Sequence, residues 1–215
     1  MSGGAGLRER KKQQTREAIA AAAFDLFTER GFDGVTVAEV ARRADVSEAT
    51  VFNHFPTKED LIYARLEAFE TALLEAIRDR DAGQSIPAAF RAFILAPQGL
   101  LGAAKETAAG GRLAAVTRIV NGSRSLLTRE RQVYDDYTRA LARLIAAERS
   151  ADPDDIEAWI VANALMGVHR ALVDYVRANV LAGTTGPRLV RAVRDQADRA
   201  LAVLDRGLAG YPAGR

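Results

Sequence analysis

The stretch Thr36-Val-Ala-Glu-Val-Ala-Arg-Arg-Ala-Asp-Val-Ser-Glu-Ala-Thr-Val-Phe-Asn-His-Phe-Pro-Thr-Lys-Glu-Asp60 decides how the chain is read. Thr36 and Glu39 have the spacing of a capping box, in which a hydroxyl and a carboxylate three residues apart each satisfy an amide left open at a helix start. The helix they open carries Val37, Val40 and Ala41 inward and ends near Ala44. Ser47 is a good N-cap for a further short helix, Glu48 to Asn53, and Pro56 prevents its long continuation. Thr57 to Asp60 caps again, and a long fourth helix follows through Leu61, Leu66, Phe69, Leu73 and Ile77.

Upstream, Ile19, Phe24, Leu26 and Phe27 recur at a helical period from Thr15 to Arg30, stopping at Gly31. Downstream of Asp81-Ala-Gly83 the helices become longer and more apolar, which puts a domain boundary inside the fourth helix. Residues 96 to 111 hold Pro97, Gly99, Gly102, Gly110 and Gly111, so the segment is expected to be broken or mobile. Leu126 to Arg149 returns to a stripe of Val133, Tyr137, Leu141, Leu144 and Ile145. Asp152-Pro153-Asp154-Asp155 supplies an N-cap, a first-turn proline and negative charge for a helix running to about Val180. A last helix after Gly186-Pro187 sets Leu189, Val193, Ala197, Leu201, Leu204 and Leu208 on one face. With no strand alternation anywhere, the fold class is all-α.

Composition agrees. The 215 residues, enough for one or two domains, include 42 alanines, the strongest helix former. Zero cysteines exclude disulfides and thiolate chemistry, and two histidines, His54 and His169, leave no histidine-rich metal site, so no metal or cofactor is expected. The 26 arginines against 4 lysines are read as GC-rich coding, and a net charge of +2 is not that of a generally basic nucleic-acid binder. No 18-residue apolar run or charged leader is evident, which argues for a cytoplasmic protein that does not enter a membrane.

Two short capped helices separated by Ala44-Asp45-Val46, with a third in front, have the spacing of a helix-turn-helix, whose second helix enters the major groove. Gly31-Phe32, Thr36, Val40-Ala41, Val46-Ser47, Thr50-Val51-Phe52, His54-Phe55, Thr57-Lys58 and Leu61 resemble, position by position, the DNA-binding domain of TetR-family transcriptional regulators. The resemblance covers about residues 12 to 65. It implies a three-helix N-terminal DNA-binding domain followed by a helical ligand-binding and dimerisation domain. It also implies a homodimer on a palindromic double-stranded operator, released when a small-molecule effector binds. The expected parts are a basic flexible arm over 1–14, the helix-turn-helix domain over 15–62, and the ligand-binding and dimerisation domain over 63–215. Two positions depart from the family. Asp45 stands where many relatives carry glycine, and Asp tolerates the left-handed backbone of that turn. Phe52 stands where tyrosine is frequent; a phenolic bond to phosphate is lost, and the ring is expected to pack beneath the recognition helix.

On that helix Ser47, Glu48, Thr50, Asn53 and His54 project from or near the face opposite Val51 and are candidates for groove contact. Asn reads adenine bidentately, whereas Thr meets a base edge or a thymine methyl. Thr36, capping the preceding helix, belongs to the same DNA-facing set. Lys58, His54 and Thr57 suit phosphate, an assignment that the family pattern strengthens; the alternatives are a solvated Lys58 and a structural His54. Arg8 to Arg16 holds five basic residues against one acid, although residues 1 to 60 hold nine against ten. Arg8, Arg10, Lys11 and Lys12 thus form an arm for phosphate or the minor groove, or else a solubilising tail.

Ala158 to Val168 is apolar almost all round, as in a helix buried on several sides, and too short to cross a bilayer. The resemblance implies that this helix and the last one pair with their counterparts in a second chain. Ile160, Leu165, Leu172, Val193, Ala197, Leu201 and Leu204 are the candidate interface. Effector candidates are Asn121, Tyr134, Tyr137, Trp159, Asn163, Met166, His169 and Tyr175, with Arg118, Arg124 and Arg170 available to a phosphate or carboxylate. The run Ala164 to Val173 faintly resembles the corresponding helix of acyl-CoA-responsive members. Two rival classes fit less well. An all-helical enzyme needs a convergent acid, base or nucleophile that no motif supplies, and a ligand-independent architectural DNA binder calls for a more basic chain with less apolar helix.

Overall fold

The computed structural model describes residues 3–96 and 109–207. Its helices are α1 (Gly3–Arg30), α2 (Val37–Arg43), α3 (Glu48–His54), α4 (Asp60–Arg78), α5 (Ile86–Ile94), α6 (Ala109–Asn121), α7 (Arg124–Glu148), α8 (Ile156–Leu181) and α9 (Gly186–Arg206). Among the described residues there is no strand.

Helix α1 starts at Gly3 rather than Thr15, so Arg8, Arg10, Lys11 and Lys12 stand on a helix and not in a flexible arm. The cause is local. The segment is rich in Arg, Glu, Lys and Gln, all good helix formers, and Gln13 donates to Glu17 at 2.8 Å across one turn. Gly31 at φ 75° ends the helix, its N–H returning 2.9 Å to the Phe27 carbonyl.

The chain divides into two units. The first takes residues up to Glu67 together with Ala115–Glu130, and the second takes Ala68–Ala114 and the chain from Arg131 onward. In the first unit α1, α2 and α3 close on Ile19, Phe27, Val40, Val51 and Phe55, and the end of α6 and start of α7 add Val120 and Leu126 to the same core. Tyr63 donates its phenol to the Leu126 carbonyl at 2.9 Å, and Ser123 donates to Asp33 at 2.9 Å. The expected division at residue 62 contains no hint of this later segment.

In the second unit α8 packs against α9 and both meet α5. Arg91 of α5 reaches Asp198 of α9 at 2.6 Å, and Arg80, just past α4, holds both oxygens of Glu148 at the end of α7. Asp155 caps α8, accepting from the amides of Glu157 and Ala158 at 3.4 and 3.3 Å. Asp152 and Pro153, expected to start that helix, lie in the turn before it, where Asp152 accepts from the Asp154 amide. Most of the glycine- and proline-rich segment expected to be broken lies outside the described residues, as does Leu208; Gly110 and Gly111 at its far end are helical.

Two expectations about α8 and α9 meet the burial of these helices. Helix α8 reaches Leu181 and is long and apolar enough, by length and composition, to cross a membrane. Its Ala158, Ala162, Leu165, Leu172 and Val176 are nevertheless buried within the chain, on one side of the helix. Leu165, Leu172, Val193, Ala197 and Leu201 of the candidate interface are likewise buried within the chain, where α9 packs against α8. Ile160 alone of the candidate set is fully open, at 61% exposure, and Leu204 is half-buried. Leu201→Ala is therefore expected to cost about 2–5 kcal/mol of folding stability, read by urea denaturation. A Leu201→Ala chain that kept full stability but lost self-association would instead place this residue at a dimer interface.

Candidate nucleic-acid interface

The geometry of the short helices begins with their caps. Thr36 and Glu39 form the full capping box: the Glu39 amide donates to the Thr36 hydroxyl at 3.3 Å, and the Thr36 amide donates to the Glu39 carboxylate at 2.8 Å. The same carboxylate takes Arg30 at 2.8 Å. The Thr36 amide and then the Arg30 guanidinium hold the Glu39 pKa down to about 2. Asp45 sits at φ 55°, the left-handed turn that the sequence required of it, and Ser47 then caps α3 by accepting from the Thr50 amide at 3.1 Å.

Helix α3 turns Val51 into the core, and Phe55 follows it inward one turn later. That leaves Glu48, Ala49, Phe52 and Asn53 exposed, with Thr50 and His54 half-buried. Phe52 does not pack beneath the helix: the residue is 47% exposed, because the inward positions are already taken by Val51 and Phe55. Ser47, Thr36 and Thr57 are exposed as well. The Ser47 and Thr50 hydroxyls lie 2.8 Å apart and bond to each other.

His54 and Lys58 are more tied down than their sequence reading suggests. Arg16, which that reading passed over, donates 2.6 Å to the His54 carbonyl and lays its guanidinium 4.6 Å over the Phe55 ring, joining α1 to the end of α3. Burial first, then the charges of Arg16 and Lys12, pull the His54 pKa below its usual value, so the imidazole is neutral at pH 7. Its Nδ1 is buried with no partner among the described residues. Lys58 donates to the Phe32 carbonyl at 2.7 Å and sits 4.2 Å over the Phe32 ring, with burial lowering its pKa. Arg8, Lys11 and Lys12 are exposed along α1, as are Arg42 and Arg43 at the end of α2, two residues that were legible in the sequence as a basic helix terminus and were not singled out.

The start of α4 is held by a residue that was read only as a cap. Asp60, buried, accepts from the Thr57 amide at 3.0 Å and from Arg129 of α7 at 3.0 and 3.2 Å, while its own amide donates to the Thr57 hydroxyl. Nothing in local spacing pairs positions 60 and 129.

The effector candidates do not form one group. Arg118, Asn121 and Arg124 belong to the first unit and are exposed. In the second unit Tyr134, Tyr137 and His169 come together with Phe69, a position on the apolar run of the fourth helix, and with Phe93, which no sequence motif marks: Phe69 lies 4.6 Å from His169, 5.2 Å from Phe93 and 6.2 Å from Tyr137, and Tyr134 lies 5.7 Å from His169. Arg170 stands 5.9 Å over Tyr134, and Met166 is buried one turn before His169. Trp159 and Tyr175 are half-buried, whereas Asn163 is exposed and donates to the Trp159 carbonyl at 2.8 Å.

Capped α2 and α3 joined by the left-handed turn at Asp45, behind α1 and with one face of α3 exposed, have the arrangement of a helix-turn-helix DNA-binding protein. Residues 19–64 match the family model of bacterial regulatory proteins of the tetR family. The transcriptional regulator TcmR of Streptomyces glaucescens is 32% identical over 160 residues, 71% of this chain and 68% of that one. A transcriptional repressor of Mycobacterium tuberculosis is 41% identical over 70 residues, 30% of this chain and 37% of its own. Among solved structures, FadR of Bacillus subtilis in complex with stearoyl-CoA shares the fold at a TM-score of 0.53 and 14% identity, over 86% of this chain and 97% of that one. The chain belongs to the TetR family of transcriptional regulators and is not an enzyme.

His169 carries a consequence for stability. Burial first, and then the nearby Arg177 charge, bring its pKa down to about 4, so it is neutral in the fold and takes up a proton on unfolding below about 6.5. Stability is expected to be full above pH 6.5 and to fall as the pH drops from there towards 4. Melting temperatures across that window check this: His169→Gln should flatten the decline, and an unchanged slope would contradict it.

Proposed function

We propose that the protein is a cytoplasmic repressor that binds a palindromic operator as a homodimer and leaves it when a hydrophobic or amphipathic effector binds in the second unit. The observation that carries the switch is the make-up of α7. Near its start Arg129 grips Asp60, at the turn that bears Thr57 and Lys58; further along, Tyr134 and Tyr137 join the aromatic group around His169. An effector that favours one arrangement of those rings biases the helix that braces the DNA-reading unit, and the same coupling energy returns in effector affinity.

In this reading Asn53 reads a base and Lys58 neutralises phosphate: one Nζ proton is held by Phe32 and two remain. Arg8, Lys11 and Lys12 add phosphate contacts from α1. The dimer face is the exposed side of α8, where Ile156, Ile160 and Leu181 stand open at 68%, 61% and 45%. The faint sequence resemblance over Ala164 to Val173, together with the shared fold of a regulator bound to stearoyl-CoA, makes long-chain acyl-CoA the first compound to titrate.

An operator selected from random DNA by the purified protein tests the scheme in gel-shift assays. Lys58→Ala should weaken all sequences about equally and flatten the salt dependence by about one phosphate contact. Asn53→Ala should lose about 1–3 kcal/mol of discrimination at one symmetric pair of positions. Ile160→Asp should yield folded monomers in sedimentation, with weakened operator binding. A bound effector should lower operator affinity roughly 5- to 150-fold. Operator binding indifferent to every compound that demonstrably binds would overturn the switch, and operator binding indifferent to both DNA-side variants would overturn the α3 assignment.

A further inference from the structure

Among the described residues the large hydrophobic side chains that stand exposed are Phe52, Ile156, Ile160 and Leu181. The last three share α8. Phe52 is different: it lies in the middle of α3, between a buried Val51 and an exposed Asn53. A phenyl ring has no atom to bond a phosphate, so a phosphate-anchoring role at this position is closed to it. Its neighbours narrow the choice further. The hydroxyls of Ser47 and Thr50 bond to each other, and Ser47 also holds the Thr50 amide, so both are engaged in capping the helix. Ala49, Phe52 and Asn53 stand three and four residues apart, on one exposed face. That face offers an amide, which pairs with the edge of adenine, beside a methyl and a phenyl group. The one apolar group on a base edge in the major groove is the thymine methyl.

We infer that Phe52, with Ala49 beside it, is a base-reading residue whose ring packs on a thymine methyl in each operator half-site, next to the position read by Asn53. This rests on α3 being the recognition helix. It commits the protein to an A·T-containing core in each half-site and assigns specificity to a side chain with no hydrogen-bonding group.

Deoxyuridine tests it, because it lacks only the methyl group. In the selected operator each thymine is replaced by deoxyuridine, one symmetric pair at a time, and affinities are measured for the intact protein, Phe52→Ala, Phe52→Tyr and Asn53→Ala. One pair of replacements should weaken the intact protein about fourfold per half-site, the worth of one buried methyl group. The loss should vanish in Phe52→Ala and persist in Phe52→Tyr, which keeps the ring. Phe52→Ala should melt with the intact protein, since the ring supports no core. Insensitivity to every deoxyuridine, or an undiminished loss in Phe52→Ala, overturns the inference. If Asn53→Ala still changes operator binding in that case, the recognition helix stands and only the role of Phe52 falls; if Asn53→Ala is silent too, the α3 assignment falls with it.

Discussion

The Asp60 carboxylate closes two junctions at once, taking the Thr57 amide at 3.0 Å and the Arg129 guanidinium at 3.0 Å. A buried charge is tolerable only where it is paired and hydrogen-bonded, so neither junction can open without exposing the other to that cost. The first junction fixes the start of α4 and the turn that carries Lys58. The second ties this turn to α7, a helix that enters the chain some seventy residues later, and brings Tyr63 onto the Leu126 carbonyl and Ser123 onto Asp33. The DNA-reading unit is therefore not an independent headpiece with a tail of helices. It is completed by residues 115–130.

What the sequence makes legible and what it hides follow from the range of the interactions. Caps are local, so Thr36, Ser47 and Thr57 could be read directly, and so could the left-handed Asp45, which a turn between two short helices demands. The first half of α1 is hidden from a periodicity argument because Arg, Lys and Gln carry no apolar stripe, although their propensity alone favours helix. The pairing of Asp60 with Arg129 and the gathering of Phe69, Phe93 and Tyr137 around His169 are non-local, and no spacing rule marks them.

The stripe on α9 shows a different limit. Leu189, Val193, Ala197 and Leu201 recur as an interface would, but a stripe states only that something covers it. Here α8 of the same chain does so. The apolar positions of α8 and α3 that the described chain leaves exposed are where the proposed dimer face and the proposed base contact are placed.

The central claim is that residues 115–130 fold with the helix-turn-helix as one unit through Asp60 and Arg129. Native-state hydrogen exchange under increasing urea tests it most directly. The amides of Ala44 and Val51, bonded within α2 and α3, and the amide of Leu127, bonded to Ser123, should open together. In Arg129→Leu all three should lose protection by the same amount. Loss confined to Leu127, with Ala44 and Val51 unchanged, would contradict the account.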